Sequence, residues 1–456
     1  MRVPVPLSEA FGASFEELIS QFATDKKLLP EPEAIRSNRF LARSVIPHVQ
    51  KLSDLFNRTE RLRELDPEEE ERLAKVALKD TQKFGARYGR GFGRRPKPDP
   101  KKAAEGLDPY WSESSNPANL RLAYFLYFMP SNLFRVAAIW AELARLGYRW
   151  PAGRPMQGLE LGAGPATGAC GIAAGEKHAP VGVPDSGNWA LIEQDKPMLE
   201  LGASWAEKYF AFNDKPNWGI RTFRRRIDFS QGVLPPAAPQ FNLWLQSYFM
   251  NESRETPEAL AKILLASWKK HLSDEGLVIF SEPALKYQSR RILEFRRALL
   301  AEIEADPSHG IQVLLPCLGH QACGALAEAE DWCHEMVTWW RPPYFRLIDQ
   351  MAGLDRKTLP FSYLVLIKSK RKLEEILPAL GGGNRAKHQR LVSPAHSEGQ
   401  DLEFFICGQE GKRRARYRPD PSLEGAEDLN RGDLLLDPEI RGDSHASRVT
   451  SIRKIR

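Results

Sequence analysis

The stretch Glu160 to Gly175, ELGAGPATGACGIAAG, decides the fold. It follows an apolar run that reads as a buried strand, and it leads into a helix of small residues. Gly162 and Gly164 let the chain turn tightly and bring backbone N–H groups close to a ligand, while the following helix offers its positive N-terminus. A glycine-rich strand-to-helix turn is by itself a weak signal, because dinucleotide folds use it too. Here the third glycine of G-x-G-x-x-G is shifted to Gly168, with Ala166 before it.

Working outward, the same alternation recurs from Asp108 to about Leu300. Upstream, Leu133, Val136, Ala137, Trp140, Leu143 and Ala144 fall on one helical face, and the helix stops at Gly147. Downstream, WALIE (Trp189–Glu193), FNLWLQS (Phe241–Ser247) and GLVIFSEP (Gly276–Pro283) read as strands. Helical patterns such as ALAKILLASWKKHL (Ala259–Leu272) separate them. Strand, helix, strand repetition predicts an α/β, Rossmann-like fold with a mostly parallel sheet and ligands at the strand C-termini.

Two acidic residues favour S-adenosylmethionine over a nicotinamide cofactor. Glu160 opens the loop, and Glu193 ends the next strand, where a carboxylate accepts bonds from both ribose hydroxyls. Gly162 and Glu193 are 31 residues apart, more than the roughly 20 of the dinucleotide pattern. The excess fits an inserted loop, EKHAPVGVPDSGN (Glu176–Asn188).

The rest of the chain sets bounds. Its 456 residues are 42% hydrophobic, and 65 Lys+Arg against 59 Asp+Glu leave a net charge of +6. That excess is compatible with a polyanionic partner without requiring one. No run of about 18 apolar residues is evident, which argues against a membrane span. The N-terminus carries Glu9, Glu16 and Glu17 and suits neither a secretory signal nor a transit peptide. Five cysteines are too few for a disulfide scaffold. The expectation is therefore a cytoplasmic monomer, or a mitochondrial matrix protein if the source is eukaryotic.

Four zones follow: a helical extension with a basic Gly/Pro linker (1–107), the core (108–300), a cysteine region with the last strands of the sheet (301–418), and a disordered tail (419–456). The linker GARYGRGFGRRPKPDPKK (Gly85–Lys102) reads either as a flexible spacer or as an RNA-binding segment. The acidic run Asp66–Arg72 reads as a solvated helix face.

Cys317, Cys323 and Cys333 lie at gaps of six and ten, and Cys407 follows 74 residues later. Four thiolates suit a tetrahedral zinc or a cubane iron–sulfur cluster. The paired C-x₂-C knuckles of zinc ribbons are absent. His320 and His334 are alternates, and Cys170 reads as a core residue. Pro316-Cys317 lies too far beyond GLVIFSEP to be the nucleophile of a cytosine-5 methyltransferase, and no Asn-Pro-Pro-Tyr motif follows the fourth strand. After Cys407, Lys412, Arg413, Arg414 and Arg416 form a basic stripe that either guards a sheet edge or contacts RNA phosphates.

Taken in order, LELGAGPATG, LIEQDKPMLELG, NLWLQSYFMNES, GLVIFSEPAL and RRILEFRRALL resemble the methyltransferase-like small-ribosomal-subunit assembly factors of bacteria and mitochondria. The likeness runs from about residue 108 to 418. It implies a class I methyltransferase fold, S-adenosylmethionine as cofactor, and the small subunit and its rRNA as partners. It also implies a [4Fe–4S] cluster on the four cysteines. Ser247-Tyr248, Asn251-Glu252 and Glu282-Pro283 sit where that family's motifs fall, which adds Ser247 to the cofactor set of Glu160, Gly162, Gly164 and Glu193. Two departures, Phe241-Asn242 for an acidic residue and Ala166 for a glycine, bear on catalysis, and the catalytic residues stay unknown. The alternatives are an active RNA methyltransferase of unknown acceptor and a non-enzymatic, metal-stapled RNA-binding protein.

Overall fold

The computed structural model describes residues 12–63, 116–229, 232–250, 253, 255–317, 322–381, 384–419, 429–442, 447–451 and 454–455. The predicted basic linker, the acidic run Asp66–Arg72 and the Asn251–Glu252 pair lie outside them.

Five strands run parallel: β1 (Met156–Leu161), β2 (Gly187–Glu193), β3 (Trp218–Arg224), β4 (Phe241–Ser247) and β5 (Leu272–Pro283). Three more complete the sheet: β6 (Ile311–Leu315), β7 (Glu335–Thr338) and β8 (Thr358–Lys368). The spatial order is β3-β2-β1-β4-β5-β8-β6, with β7 also paired to β8. β8 is antiparallel to β5, β6 and β7. β4 and β5 are buried on both faces through Leu243, Trp244 and Leu245 and through Leu277 to Phe280, as a sheet covered by helices on both sides requires. The order reverses between β1 and β4, which opens a crevice at their C-terminal ends.

Pro117–Arg145 forms one long helix with a π turn at Tyr124–Phe128. The sequence suggested one apolar face. Instead every residue from Met129 to Leu143 is buried. By length and composition this helix would cross a bilayer, contrary to the sequence reading, but 94% of its apolar window is buried inside the fold. A helix apolar all round belongs in the middle of a large core.

The N-terminal helices Ala13–Asp25, Asn38–Ser44 and Ile46–Arg63 are not a separate unit. Phe15 and Phe22 lie edge-on to Trp205 at 5.9 and 5.2 Å. The buried Glu16 accepts the Tyr344 amide at 3.1 Å.

The C-terminal region departs most from expectation. LEFFICG forms β11 (Asp401–Gly408), which belongs to a second sheet rather than to the first. Its neighbours are β9 (Gln389–Leu391), β10 (His396–Glu398) and β12 (Gly411–Tyr417). The tail expected to be disordered adds β13 (Leu434–Leu435), β14 (Glu439–Arg441), β15 (Ser447–Ser451) and β16 (Lys454–Ile455). Leu435 and Val449 bury in a small core with Phe404, Ile406 and Tyr417, and Leu434 and Leu436 join the main core. Single apolar residues in a Pro/Asp/Arg-rich text hid those strands. Arg431, in the same tail, donates to the His334 carbonyl at 2.7 Å.

An ion triad fastens the second sheet to the long helix. Glu142, on the long helix, accepts from Arg145 at 2.8 and 2.9 Å and from Arg390 of β9 at 3.2 Å. Burial pushes the Glu142 carboxyl up, but the two guanidinium groups outweigh it and bring its pKa down to about 2. A depressed carboxylate stabilises the fold fully above its unfolded value of 4.5 and loses that contribution as pH falls towards 2. Glu142→Ala is expected to cost about 3–5 kcal/mol at neutral pH, because two cations stay buried without their anion. The penalty should shrink between about pH 4 and 2 in chemical denaturation. An equal penalty at both ends would assign it to packing.

Candidate functional site

A cleft of about 990 Å³ opens where β1, β2 and β4 end, bordered by Gly162, Gly164, Glu193, Ser247 and Tyr248. Gly162 (φ +63°) and Gly164 (φ +51°) both take the left-handed backbone, which glycine adopts without steric cost. Ala166 takes it as well, at φ +58°. The position where glycine was absent keeps a glycine's conformation.

Glu193 knits the loop to β2. One carboxylate oxygen accepts the Gly164 amide at 3.0 Å, and the other accepts the amides of Gln194 and Asp195 at 2.8 and 2.9 Å. Burial raises its pKa against those three donors. A carboxylate offers about four lone-pair sites, so capacity remains for a ligand hydroxyl.

Glu160, predicted with it, does not border the cleft. It is buried, and its two oxygens accept the amides of Gly168 (2.7 Å) and Ala169 (2.9 Å) in the first turn of the helix Thr167–His178. Burial pushes it up to about 8 while those amides pull it back. Its work is to seat the helix whose N-terminus faces the loop. The shifted Gly168 has a steric reason here, since a Cβ there would lie 2.7 Å from the Glu160 oxygen.

The segment after β4 is held under tension. Glu282, at the end of β5, accepts the amides of Phe249 and Met250 at 3.1 and 2.8 Å. Tyr248 is left at φ +59°, a strained backbone for a bulky residue. The hydroxyls of Ser247 and Tyr248 are buried with no hydrogen-bond partner among the described residues. Asn242, the departure from an acidic residue, sits at the opposite end of β4, about 16 Å away at ~3.3 Å per residue. It pins β1 by bonding the Gln157 amide and the Pro155 carbonyl.

The cleft also contains residues that sequence reading missed: Arg135, Arg356 and Trp332 line it. His334, read as an alternate metal ligand, lines it too. For Arg135 the usable signal was an arginine inside the otherwise apolar run LFRVAAIW (Leu133–Trp140).

The cysteines come together in part. Gly324 packs against Gly411 and Lys412 of the second sheet, so the cysteine segment rests on the β11–β12 hairpin that carries Cys407. Burial lifts the Cys333 thiol well above its usual range, and the charges of Cys317 and Cys407 add to the effect, followed by Glu335 and Cys323. Burial pushes Cys407 up to about 12, with Cys317 and Cys323 adding. All four thiols thus lie within electrostatic reach of one another. Among the described residues, however, no three His, Cys, Asp or Glu side chains are gathered as a ready metal shell. The fit is one of donor type and neighbourhood. His320 lies outside the described residues, while His334 stacks on Trp332 at 6.2 Å. Cys170 is a buried core residue, as expected.

The predicted basic stripe is not a row of free cations. Lys412 is bound to Asp331 at 2.6 Å and Arg413 to Glu410 at 2.9 Å. Arg414 pairs with Glu403, and Arg416 with Glu398 and Glu403 at 2.9 and 3.1 Å. The antiparallel register places Glu403 directly opposite Arg416, which makes these cross-strand charge pairs.

Several solved structures are similar to part of this chain. A Streptococcus mutans protein assigned as an S-adenosylmethionine-dependent methyltransferase is 13% identical over 50% of this chain and 47% of its own, about half its length, with a TM-score of 0.28. An O-methyltransferase from Bacillus cereus is 11% identical over 51% of this chain and 80% of its own, with a TM-score of 0.28. The O-methyltransferase TomG from Streptomyces achromogenes is 12% identical over 51% and 79%, with a TM-score of 0.26. No curated protein matches the chain. The sequence between residues 118 and 418, which spans the glycine loop, the cleft and the four late cysteines, matches the family described as Mitochondrial small ribosomal subunit Rsm22, and the chain belongs to that family.

Proposed function

We propose that this chain is an assembly or translation factor of the small ribosomal subunit whose cleft binds S-adenosylmethionine. One observation carries the reading: the left-handed glycines of the loop and the Glu193 carboxylate border the same cleft, at the switch point of the sheet. Gly162, Gly164, Glu193 and Ser247 are the cofactor set, and Glu160 acts behind them through the helix. The family is described by the mitochondrial small ribosomal subunit, so the matrix is the proposed compartment in a eukaryote and the cytoplasm in a bacterium. The exposed indole of Trp332 borders the cleft, and such a ring offers a base a stacking surface.

Cys317, Cys323, Cys333 and Cys407 are proposed to hold a [4Fe–4S] cluster, with zinc the alternative. When bound, such a group would staple the second sheet to the first. A second reading, that methyl transfer to rRNA takes place, is favoured by the strained Tyr248 and the unpartnered hydroxyls beside it.

Calorimetry with S-adenosylmethionine and co-sedimentation with the small subunit test the proposal, and methyl incorporation into isolated small-subunit RNA tests the second reading. Binding to neither partner would overturn the first. Reversing Arg413, Arg414 and Arg416 to Glu is expected to weaken co-sedimentation. It should also flatten the log–log salt dependence by roughly 0.7–0.9 for each phosphate that is no longer neutralised. An unaltered slope would leave the stripe with its intramolecular partners alone.

A further inference from the structure

Among the described residues, two arginines in the cleft wall have no carboxylate partner. Arg135 is 6% exposed. Its Nη1 donates to Asn132 at 2.5 Å and lies 3.4 Å from the Ser131 hydroxyl, and its Nε has no partner among the described residues. The Arg356 guanidinium lies 4.7 and 4.9 Å from the ring centroids of Tyr127 and Phe128, and it reaches the Ser131 hydroxyl at 3.5 Å. Among the described residues neither guanidinium has a carboxylate within ion-pair distance. The nearby acids are engaged elsewhere: Asp349 takes Arg341 and the Tyr127 hydroxyl, and Asp355 takes Arg341 and Lys357. Burial lowers the Arg135 pKa, and Arg356 lowers it further.

A buried cation beside a second, half-buried one is costly unless an anion completes them. The Tyr248 ring lies 5.7 Å from the Arg135 guanidinium, and its buried hydroxyl lacks a partner among the described residues. We propose that Arg135, Arg356 and the Tyr248 hydroxyl form an oxyanion site inside the cleft. Guanidinium forks match carboxylate and phosphate alike. The anion is therefore either the amino-acid carboxylate of the methyl donor or a backbone phosphate of RNA entering the same space.

This rests on the cleft being the ligand site, so the test carries its own check. Wild type, Arg135→Gln and Arg356→Gln are titrated with S-adenosylhomocysteine, with 5′-methylthioadenosine, which lacks the carboxylate, and with a small-subunit RNA fragment. Loss of a charged hydrogen bond is expected to weaken one of them by about 10- to 100-fold. Weaker S-adenosylhomocysteine with unchanged methylthioadenosine assigns the donor carboxylate. Weaker RNA with both small ligands unchanged assigns the phosphate. Arg356 is only partly buried, so Arg356→Gln keeps the test decisive where Arg135→Gln does not fold. Unchanged affinity for all three overturns the proposal. Wild type that binds neither small ligand overturns the cleft reading, and the proposal with it.

Discussion

Gly164→Asp is expected to remove measurable S-adenosylmethionine binding while the protein stays folded. A Cβ built at Gly164 meets nothing within 4 Å, so the new side chain enters the open cleft rather than the core. Its charge would stand beside Glu193, which already accepts the Gly164 amide, and like charges in a half-buried site repel. The left-handed backbone at φ +51° adds about 1–2 kcal/mol of strain for a residue with a side chain. Gly162→Asp is a poorer probe, because its Cβ would lie 2.5 Å from the Phe249 ring and would disturb the segment after β4 as well. At a hundredfold excess over Kd, ligand stabilises the wild type by about 2.7 kcal/mol, and that gain should vanish in the variant. Calorimetry and ligand-dependent thermal melting check it. A variant that binds as well as wild type would move the pocket away from the glycine loop.

The sheet was legible where both of its faces are buried. FNLWLQS and GLVIFSEP are β4 and the greater part of β5 because continuous apolar runs leave few other choices. β3 escaped because WGIRTFR sits at an edge, buries Trp218 and exposes Arg221, Phe223 and Arg224. The second sheet escaped as a separate sheet because most of its strands are short, and what joins β11 to them is a small core of scattered apolar residues, cross-strand pairs and Arg390 bound to Glu142, 248 residues away. Pairing of that kind has no periodic trace in a sequence. The glycine loop was legible because backbone geometry is local. The role of Glu160 was not, since an acidic residue ending a strand serves a ribose or a helix N-terminus equally well in sequence. The basic stripe shows the same limit, because cations are visible in a sequence while their partners are not.

Loss of Cys407 is expected to unfasten the second sheet, a larger structural effect than that of any other single substitution proposed for this chain. Cys317, Cys323 and Cys333 come from a segment whose described part between β6 and β7 holds one short 3₁₀ turn, Gly324–Leu326. Such a segment has little core of its own, whereas Cys407 is fixed in β11. A cluster shared between them would convert ligation free energy into folding free energy, about 10–16 kcal/mol for structural zinc in small domains. Protein purified without oxygen is then expected to carry about four irons per chain and to absorb broadly in the visible. Cys407→Ser and Cys323→Ser should lose iron, protease resistance beyond β6 and co-sedimentation with the small subunit together. Binding of S-adenosylmethionine should survive, because β1, β2 and β4 pack in the main core and carry none of the four thiols. Glu142 offers the control: Glu142→Ala loosens the same sheet without touching a thiol, so it should keep its iron while losing stability. Stoichiometric zinc without iron would change the metal and keep the site. If neither metal is found and both serine variants resist protease like wild type, the four thiols are ordinary buried groups, and the ion triad at Glu142 becomes the principal fastening of the second sheet.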